Sequence, residues 1–275
     1  MVDISQMNKV LELPSFVRLA GKKLVQVEAG ISIRQLNSEL DKRNLSVVTL
    51  GGIDHQTLAG AIATGTHGSG IDLPAVHGMV RSVVLVAGDG KTYRIEPSDG
   101  VSDPANYNEP GITLIQSDDD FNAVLVSLGC MGIIYSCILE VLDMYWLEES
   151  KQMDKWSVRH FAEQGKIYMT SPVGMRFVKA SGAYLAPDYG RDVCYIDTPF
   201  LQGIIGADEL LEACQDIMFA GGGFPHWGKK NSRLSAHMDP VAKTFPKLAA
   251  WKNIQKKFDP EGIFANNYTS RFLLT

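Results

Sequence analysis

The chain has 275 residues and a formal net charge of −5 at pH 7, with 45% hydrophobic and 21% charged residues. This composition is typical of a globular protein with one large or two ordinary domains, and it lacks the basic surplus that nucleic-acid binding requires. No apolar run reaches the roughly 20 residues that span a bilayer, and the N-terminal residues do not resemble a signal peptide. We therefore expect an intracellular, cytoplasmic protein, with peripheral membrane association left open.

The four cysteines do not indicate a metal or disulfide framework. No two of them have the C-x-x-C spacing of zinc sites, and the chain is too large to depend on disulfides. Cys130 and Cys137 lie in apolar segments, where free cysteines are usually buried. We expect two buried thiols and no metal site.

Hydrophobic periodicity predicts the elements of the N-terminal half. Alternating apolar residues and short apolar runs indicate strands, and apolar residues three or four apart indicate a helix. Asp89-Gly90 is a typical hairpin turn between two strands. The sequence predicts strands over 24–29, 46–50 and 80–87, and a helix over 31–40.

A helix followed by a long buried strand is predicted next. Ser117 and Asp120 have the spacing of a capping box, and Phe121, Val124, Leu125 and Leu128 would form the buried stripe. Gly129 is the expected end of the helix. The apolar segment 133–142 then predicts a strand.

The pattern changes near residue 145. Strands are predicted over 175–179 and 193–196, and helices over 154–164, 207–219 and 240–258, the last closed by a turn at 258–262. Strands come in clusters and do not alternate strictly with helices, which favours an α+β fold over a doubly wound sheet. We divide the chain into segments 1–144, 145–220 and 221–275.

The segment TLAGAIATGTHGSG, residues 57–70, is the clearest candidate for a binding loop. Glycines let backbone N–H groups approach an anion closely, and Thr64, Thr66 and Ser69 add hydroxyl groups. A diphosphate or the edge of a flavin would suit it. Neither G-x-G-x-x-G nor G-x-x-x-x-G-K-[ST] occurs in it, which argues against a Rossmann NAD site and a P-loop. The alternative interpretation is a glycine-rich turn in a compact core.

Four ordered segments resemble one family. Residues 59–70 read A-G-x-x-A-T-G-T-H-G-S-G, a pattern typical of aldonolactone and alditol oxidases in the vanillyl-alcohol-oxidase superfamily. The segments GCMGIIYSCILEV (129–141), PHWGK (225–229) and FDPEGIFANNY (258–268) are similar to further segments of that family. The resemblance implies an FAD-binding domain over 1–144, a shortened substrate domain over 145–220, and a C-terminal segment over 221–275 that completes the flavin site.

The resemblance also assigns roles to individual residues. It implies that FAD is bound by the loop, by His226 beside the flavin ring, and by the backbone near the adenosine side; these loop and backbone residues are Thr57, Gly60, Thr64, Gly65, Thr66, His67, Gly68, Ser69, Gly132 and Ile133. Arg176 and Thr198 would contact substrate. Lys229 would face substrate and the flavin, where a cation stabilises the reduced anion. His226 is the first candidate for the base and Lys229 the second; seen alone, each is more often a packed histidine or a solvated lysine.

Three departures from the family pattern affect this interpretation. The phosphate-binding segment G-x-G-H-S-F, whose histidine often carries the flavin covalently, does not occur, so we expect non-covalent FAD. The glutamate of the family's E-x-R pair falls at Gly174, and a residue near the flavin that is often serine falls at Gly52. The substrate domain is short, which predicts exposed apolar surface and either aggregation or a protein partner.

The expected reaction is oxidation of a carbinol carbon of a sugar lactone or polyol, with molecular oxygen as acceptor. One alternative is a degenerate, non-catalytic family member that acts as a binding partner. Another is a flavin dehydrogenase that passes electrons to a cytochrome or quinone.

Overall fold

The structure, a computed structural model, describes residues 2–146, 173–199, 203, 205–236 and 243–272. Its centre is a mixed seven-stranded sheet in the order β1-β2-β7-β4-β5-β6, with β3 paired to β7. All its pairs are antiparallel except β5 with β6. The strands are β1 Val10–Leu11, β2 Lys23–Glu28, β3 Leu45–Ser46, β4 Val80–Ala87, β5 Thr92–Glu96, β6 Ile112–Gln116 and β7 Gly132–Asp143.

Helices and a separate hairpin complete the described part. The α-helices are α1 Ile33–Asp41, α2 Leu58–Ala63, α3 Asp118–Leu125, α4 Ala207–Ala220, α5 Leu248–Phe258 and α6 Asn267–Phe272; Val76–Met79 and Leu234–Ala236 form 3₁₀ turns. Strands β8 Gly174–Val178 and β9 Val193–Asp197 form an antiparallel two-stranded sheet. The α+β class predicted from the sequence is confirmed.

The three longest predicted strands are confirmed within one or two residues, but the strand predicted over 46–50 is wrong beyond Ser46. Only Leu45 and Ser46 pair with β7. Val47 is buried nevertheless, so its apolar character reflects packing in the core and not a place in a ladder. Helix α1 starts later than predicted, because the Ser32 hydroxyl caps it by accepting from the Gln35 N–H at 3.2 Å.

The predicted cap of α3 is half formed. The Ser117 hydroxyl accepts from the Asp120 N–H at 3.2 Å, but the Ser117 N–H donates to the Glu96 carbonyl at 2.9 Å. The Asp120 carboxylate instead pairs with Lys257 of α5 at 2.7 Å. The helix ends at Leu125 and not at Gly129, and Leu128 lies outside it with a φ of 54°.

The predicted C-terminal helix is shorter than expected. Helix α5 begins at Leu248, since Pro246 lacks the N–H that a helix interior requires. It packs on α3, where the Trp251 indole donates to the Ala123 carbonyl at 3.1 Å and the Gln255 amide donates to the Cys130 carbonyl at 3.0 Å. The helix predicted over 154–164 lies outside the described residues.

Cys130 and Cys137 are buried, as predicted. Burial raises the pKa of each thiol to about 12, so both stay protonated at neutral pH.

The outer face of the β8–β9 hairpin is apolar and exposed. Met175, Phe177 and Ile196 point to this side and are 53%, 42% and 43% exposed. Among the described residues, no helix is long and apolar enough to cross a membrane.

The turn after α5 fastens the C-terminal segment to the β4–β5 hairpin. The buried Asp259 carboxylate accepts from the N–H groups of Ile263 at 2.8 Å and Phe264 at 2.9 Å. The Gly88 N–H donates to the Phe258 carbonyl at 2.7 Å, and a Cβ at Gly88 would lie 2.4 Å from the Asp259 carboxylate. The turn predicted at 258–262 therefore holds the last third of the chain against the sheet.

We expect Asp259→Ala to lower the free energy of unfolding by about 2–3 kcal/mol, because it leaves two backbone N–H groups without their acceptor. Urea denaturation measures this. Asp103→Ala is the matched control, since Asp103 accepts from the Ala105 N–H and the Asn106 side chain at an exposed turn; it should cost less than about 1 kcal/mol. Equal losses in the two variants would contradict this role of Asp259.

Candidate functional site

The glycine-rich segment begins with a short helix closed at both ends by threonines. The Thr57 hydroxyl accepts from the Gly60 N–H at 3.2 Å and caps α2. The Thr64 hydroxyl donates to the Gly60 carbonyl at 2.8 Å. The hydroxyl groups of the two predicted threonines are thus used to close α2, Thr57 at its start and Thr64 at its end.

Two glycines of the loop are required for different reasons. Gly68 passes so close to the preceding segment that a Cβ there would lie 2.4 Å from the Leu50 carbonyl oxygen. Gly65 is buried and has a φ of 71°, yet a Cβ there would meet no atom within 4 Å. Gly68 therefore serves packing, whereas the backbone at Gly65 borders open space.

His226 reaches across the fold to this loop. Its Nε2 lies 3.2 Å from the Gly65 carbonyl, and its Nδ1 accepts from the Gly228 N–H at 3.0 Å. These partners assign the proton to Nε2. A Cβ at Gly228 would lie 3.3 Å from the Thr64 hydroxyl, so the PHWGK segment packs directly on the loop. Both ring nitrogens of His226 are bound to the main chain.

His67 lies beside His226, with ring centroids 5.5 Å apart. Its Nδ1 contacts the Gly68 carbonyl at 3.0 Å, which assigns the proton to Nδ1 and leaves Nε2 as an acceptor. Burial lowers the pKa of His67 below its usual value. The ring is therefore neutral at pH 7 and carries a lone pair that no described residue occupies.

Tyr195 of β9 is a site residue that the sequence interpretation missed. Its ring stacks on His67 with centroids 3.6 Å apart and lies 6.0 Å from His226. Its hydroxyl is buried and has no hydrogen-bond partner among the described residues, and burial raises its pKa. In the sequence, Tyr195 shows only the alternating pattern of a β-strand. That pattern is the same for any half-buried strand residue and does not indicate a binding site.

The β8–β9 hairpin is joined to the loop by backbone bonds. The Gly70 N–H donates to the Phe177 carbonyl at 2.8 Å, and the Phe177 N–H donates to the Ser69 hydroxyl at 3.3 Å. This brings Arg176 to the loop, where its guanidinium pairs with Asp197 at 2.5 Å and lies 3.3 Å from where a Cβ of Gly52 would be. Arg176 thus lies beside the loop, together with Asp197, which the sequence did not indicate.

The other predicted residues are placed less closely. Thr66 is fixed by its main chain, its N–H donating to the Ala61 carbonyl at 2.9 Å. Lys229 follows His226 and is exposed, and half-buried Thr198 follows Asp197. Gly132 and Ile133 pair with Ala87 and Val86 in the sheet, and no hydrogen bond or ring contact within the described part joins them to the histidines.

Two family models match the chain. A model described as FAD binding domain matches residues 1–96, and one described as D-arabinono-1,4-lactone oxidase matches residues 139–272. The first match contains the glycine-rich loop, and the second contains Arg176, Tyr195, Asp197 and His226. The site therefore lies where the two matched regions meet.

Similar proteins carry related names. L-gulono-1,4-lactone dehydrogenase of Mycobacterium tuberculosis is 20% identical over 395 aligned positions, covering 99% of this chain and 86% of that protein. L-gulonolactone oxidase of Mus musculus is 30% identical over 54% of this chain and 29% of its own length. D-arabinono-1,4-lactone oxidase of Yarrowia lipolytica is 34% identical over 47% of this chain and 21% of its own length. The chain thus spans less than a third of the mouse and yeast proteins in these alignments.

The buried state of His226 predicts a pH dependence of stability. Burial, and next the neighbouring His67, lower the pKa of His226 from 6.5 to about 4 in the folded chain. Between pH 6.5 and 4 the unfolded chain binds a proton that the folded chain does not. The free energy of unfolding should therefore fall as the pH is lowered through this window, by up to about 1.4 kcal/mol per pH unit.

Urea denaturation between pH 7 and 4 measures this slope. His226→Gln should reduce it, because glutamine does not titrate. The same slope in the variant, or an NMR titration of the His226 ring with a midpoint near 6.5, would contradict the described burial.

Proposed function

We propose, because this chain belongs to the family of FAD-linked aldonolactone oxidases, that it oxidises a carbinol carbon of a sugar lactone or polyol at the site around Gly65 and His226. The observation that carries the proposal is the contact of His226 Nε2 with the Gly65 carbonyl at 3.2 Å. It joins the matched FAD-binding region to the matched lactone-oxidase region at a loop suited to a flavin.

The residues at this loop fit FAD. The open space beside the left-handed Gly65 is where a flavin or diphosphate can approach the main chain without meeting a side chain. Thr64 flanks it at the end of α2, His67 and His226 border it with flat rings, and the buried Thr66, whose hydroxyl donates to Gln56 at 3.4 Å, adds its main chain. These residues would hold the cofactor non-covalently, with Thr57 and Gly60 at the start of the loop.

FAD, when bound, supplies the redox chemistry by taking a hydride from the carbinol carbon. The protein must remove the hydroxyl proton. His226 meets this requirement poorly, because its Nε2 carries a proton and its Nδ1 lone pair is bound to the Gly228 N–H. His67 Nε2 is the acceptor left free, so the geometry favours His67 over His226 as the base.

Tyr195 and Lys229 complete the proposed roles. The Tyr195 ring fixes the plane of the His67 imidazole by stacking. Its phenol stays protonated, since burial raises its pKa. Lys229 is exposed next to His226 and can supply a positive charge to the bound group.

The acceptor of the electrons is either molecular oxygen or a cytochrome or quinone. The oxidase names of the mouse and yeast relatives favour oxygen, and the dehydrogenase name of the mycobacterial relative favours a protein or quinone acceptor. Oxygen consumption during turnover with D-arabinono-1,4-lactone or L-gulono-1,4-lactone distinguishes these two cases. Reduction of bound FAD by neither lactone would favour the non-catalytic binding partner.

Titration of the purified chain with FAD, followed by flavin fluorescence, tests the cofactor site. We expect Gly65→Ala to weaken FAD binding about tenfold or more, because the methyl group enters the space beside the loop and the residue disfavours a positive φ. Gly90→Ala is the matched control, since Gly90 has a φ of 78°, also with no atom within 4 Å of a Cβ, but lies in the β4–β5 turn. Equal FAD affinity in both variants would reject this site.

A second test concerns the base. We expect His67→Gln to lower kcat for lactone oxidation by about 10²–10⁴-fold while FAD remains bound. His55→Gln, which changes an exposed histidine near Arg34, serves as the control and should leave kcat unchanged. A His67→Gln enzyme with wild-type kcat would remove His67 from the mechanism.

A further inference from the structure

We propose that Asp197 is the carboxylate that, together with Arg176, binds hydroxyl groups of the lactone, in the position left vacant by Gly174. This inference rests on the proposed function and assigns its substrate-binding pair.

The register of the β8–β9 hairpin places the two residues side by side. Gly174 is directly opposite Asp197, and Arg176 is directly opposite Tyr195. Residues two apart on a strand share a face, so Arg176, Tyr195 and Asp197 all lie on the face turned toward the loop. The exposed apolar residues Met175, Phe177 and Ile196 occupy the opposite face.

Two glycines leave the space that this pair occupies. A Cβ at Gly174 would lie 3.5 Å from the Asp197 Cβ and 3.7 Å from its carboxylate oxygen. On the other side, a Cβ at Gly52 would lie 3.3 Å from the Arg176 guanidinium. A glutamate at 174 would place a second carboxylate opposite Asp197, where like charges repel. The chain thus has room for one carboxylate beside Arg176, and Asp197 provides it.

The pair retains unused hydrogen-bonding capacity. The Arg176 Nε donates to Asp197 Oδ2, while the two terminal nitrogens of Arg176 and the Asp197 Oδ1 bind nothing within the described part of the chain. The side chains are 36% and 39% exposed, so a ligand can reach them. Ion pairs this exposed add little stability, which argues against a purely structural role.

The position of the pair is suited to a polyhydroxylated ligand. Asp197 can accept from one hydroxyl while Arg176 donates to a neighbouring hydroxyl or lactone oxygen, which is the arrangement that adjacent hydroxyl groups require. Both charges act on the nearby His67, where Asp197 opposes and Arg176 reinforces the lowering of its pKa that burial causes. A ligand held by the pair therefore lies next to the free nitrogen of His67.

Isothermal titration of the FAD-loaded chain with D-arabinono-1,4-lactone under anaerobic conditions tests the proposal. We expect Asp197→Asn to weaken lactone binding about tenfold or more, because a hydrogen bond to a charged group is lost, while FAD binding is unchanged. Asp192→Asn is the matched control: Asp192 pairs with Lys179 at 3.3 Å on the same hairpin, and its variant should bind the lactone like the wild type.

A relocation variant separates loss of the charge from damage to the fold. In Gly174→Glu/Asp197→Ala the carboxylate returns to Arg176 from the opposite strand, and lactone binding should recover at least partly relative to Asp197→Ala. Wild-type affinity in Asp197→Asn would overturn the role of Asp197 alone. A wild-type chain that binds FAD but neither binds nor oxidises the lactone would overturn the proposed function and this inference together.

Discussion

The contact between His226 and the Gly65 carbonyl joins residues 161 positions apart, and the geometry of the site depends on it. The carbonyl can turn toward the histidine because Gly65 adopts a left-handed conformation that other residues disfavour. In return the imidazole is fixed on both nitrogens by main-chain groups. This glycine and this histidine thus join the matched FAD-binding region to the matched lactone-oxidase region, together with the backbone bond from Gly70 to Phe177.

The surrounding core holds this contact in place. Next to His226, the Trp227 indole donates to the Leu185 carbonyl at 2.7 Å and is buried. Its ring packs in an aromatic cluster with Phe224, Phe245 and Tyr268. Since rigid packing restricts the backbone on both sides of His226, the imidazole is positioned by the fold before any ligand binds.

Local sequence patterns predicted the elements that depend on local physics. Strand and helix periodicity located β2, β4, β7 and α4, and the S-x-x-D spacing located the start of α3. The glycine-rich segment and PHWGK were singled out by their resemblance to the family, because an ordinary turn, a packed histidine or a solvated lysine would explain the same residues seen alone. The strand predicted over 46–50 was wrong because Val47 is a buried apolar residue that packs in the core without joining a ladder.

Tyr195 and Asp197 could not be predicted, because their roles depend on cross-strand register. Nothing in the segment VCYID distinguishes a tyrosine that stacks on a distant histidine from one that packs on its own sheet. Likewise, the absence of a carboxylate at Gly174 indicated a lost function in the sequence, whereas the hairpin supplies a carboxylate from the opposite strand. A family pattern that is read along one strand does not show that a residue on the paired strand can supply the same functional group.

A crystal structure of the chain grown with FAD tests the account most directly. We expect the isoalloxazine ring against the Gly65 main chain, bordered by the His226 side chain and on the same side as Arg176, with the contact between His226 and the Gly65 carbonyl kept. Density for the flavin elsewhere, or a structure in which the loop and His226 are far apart, would contradict the account.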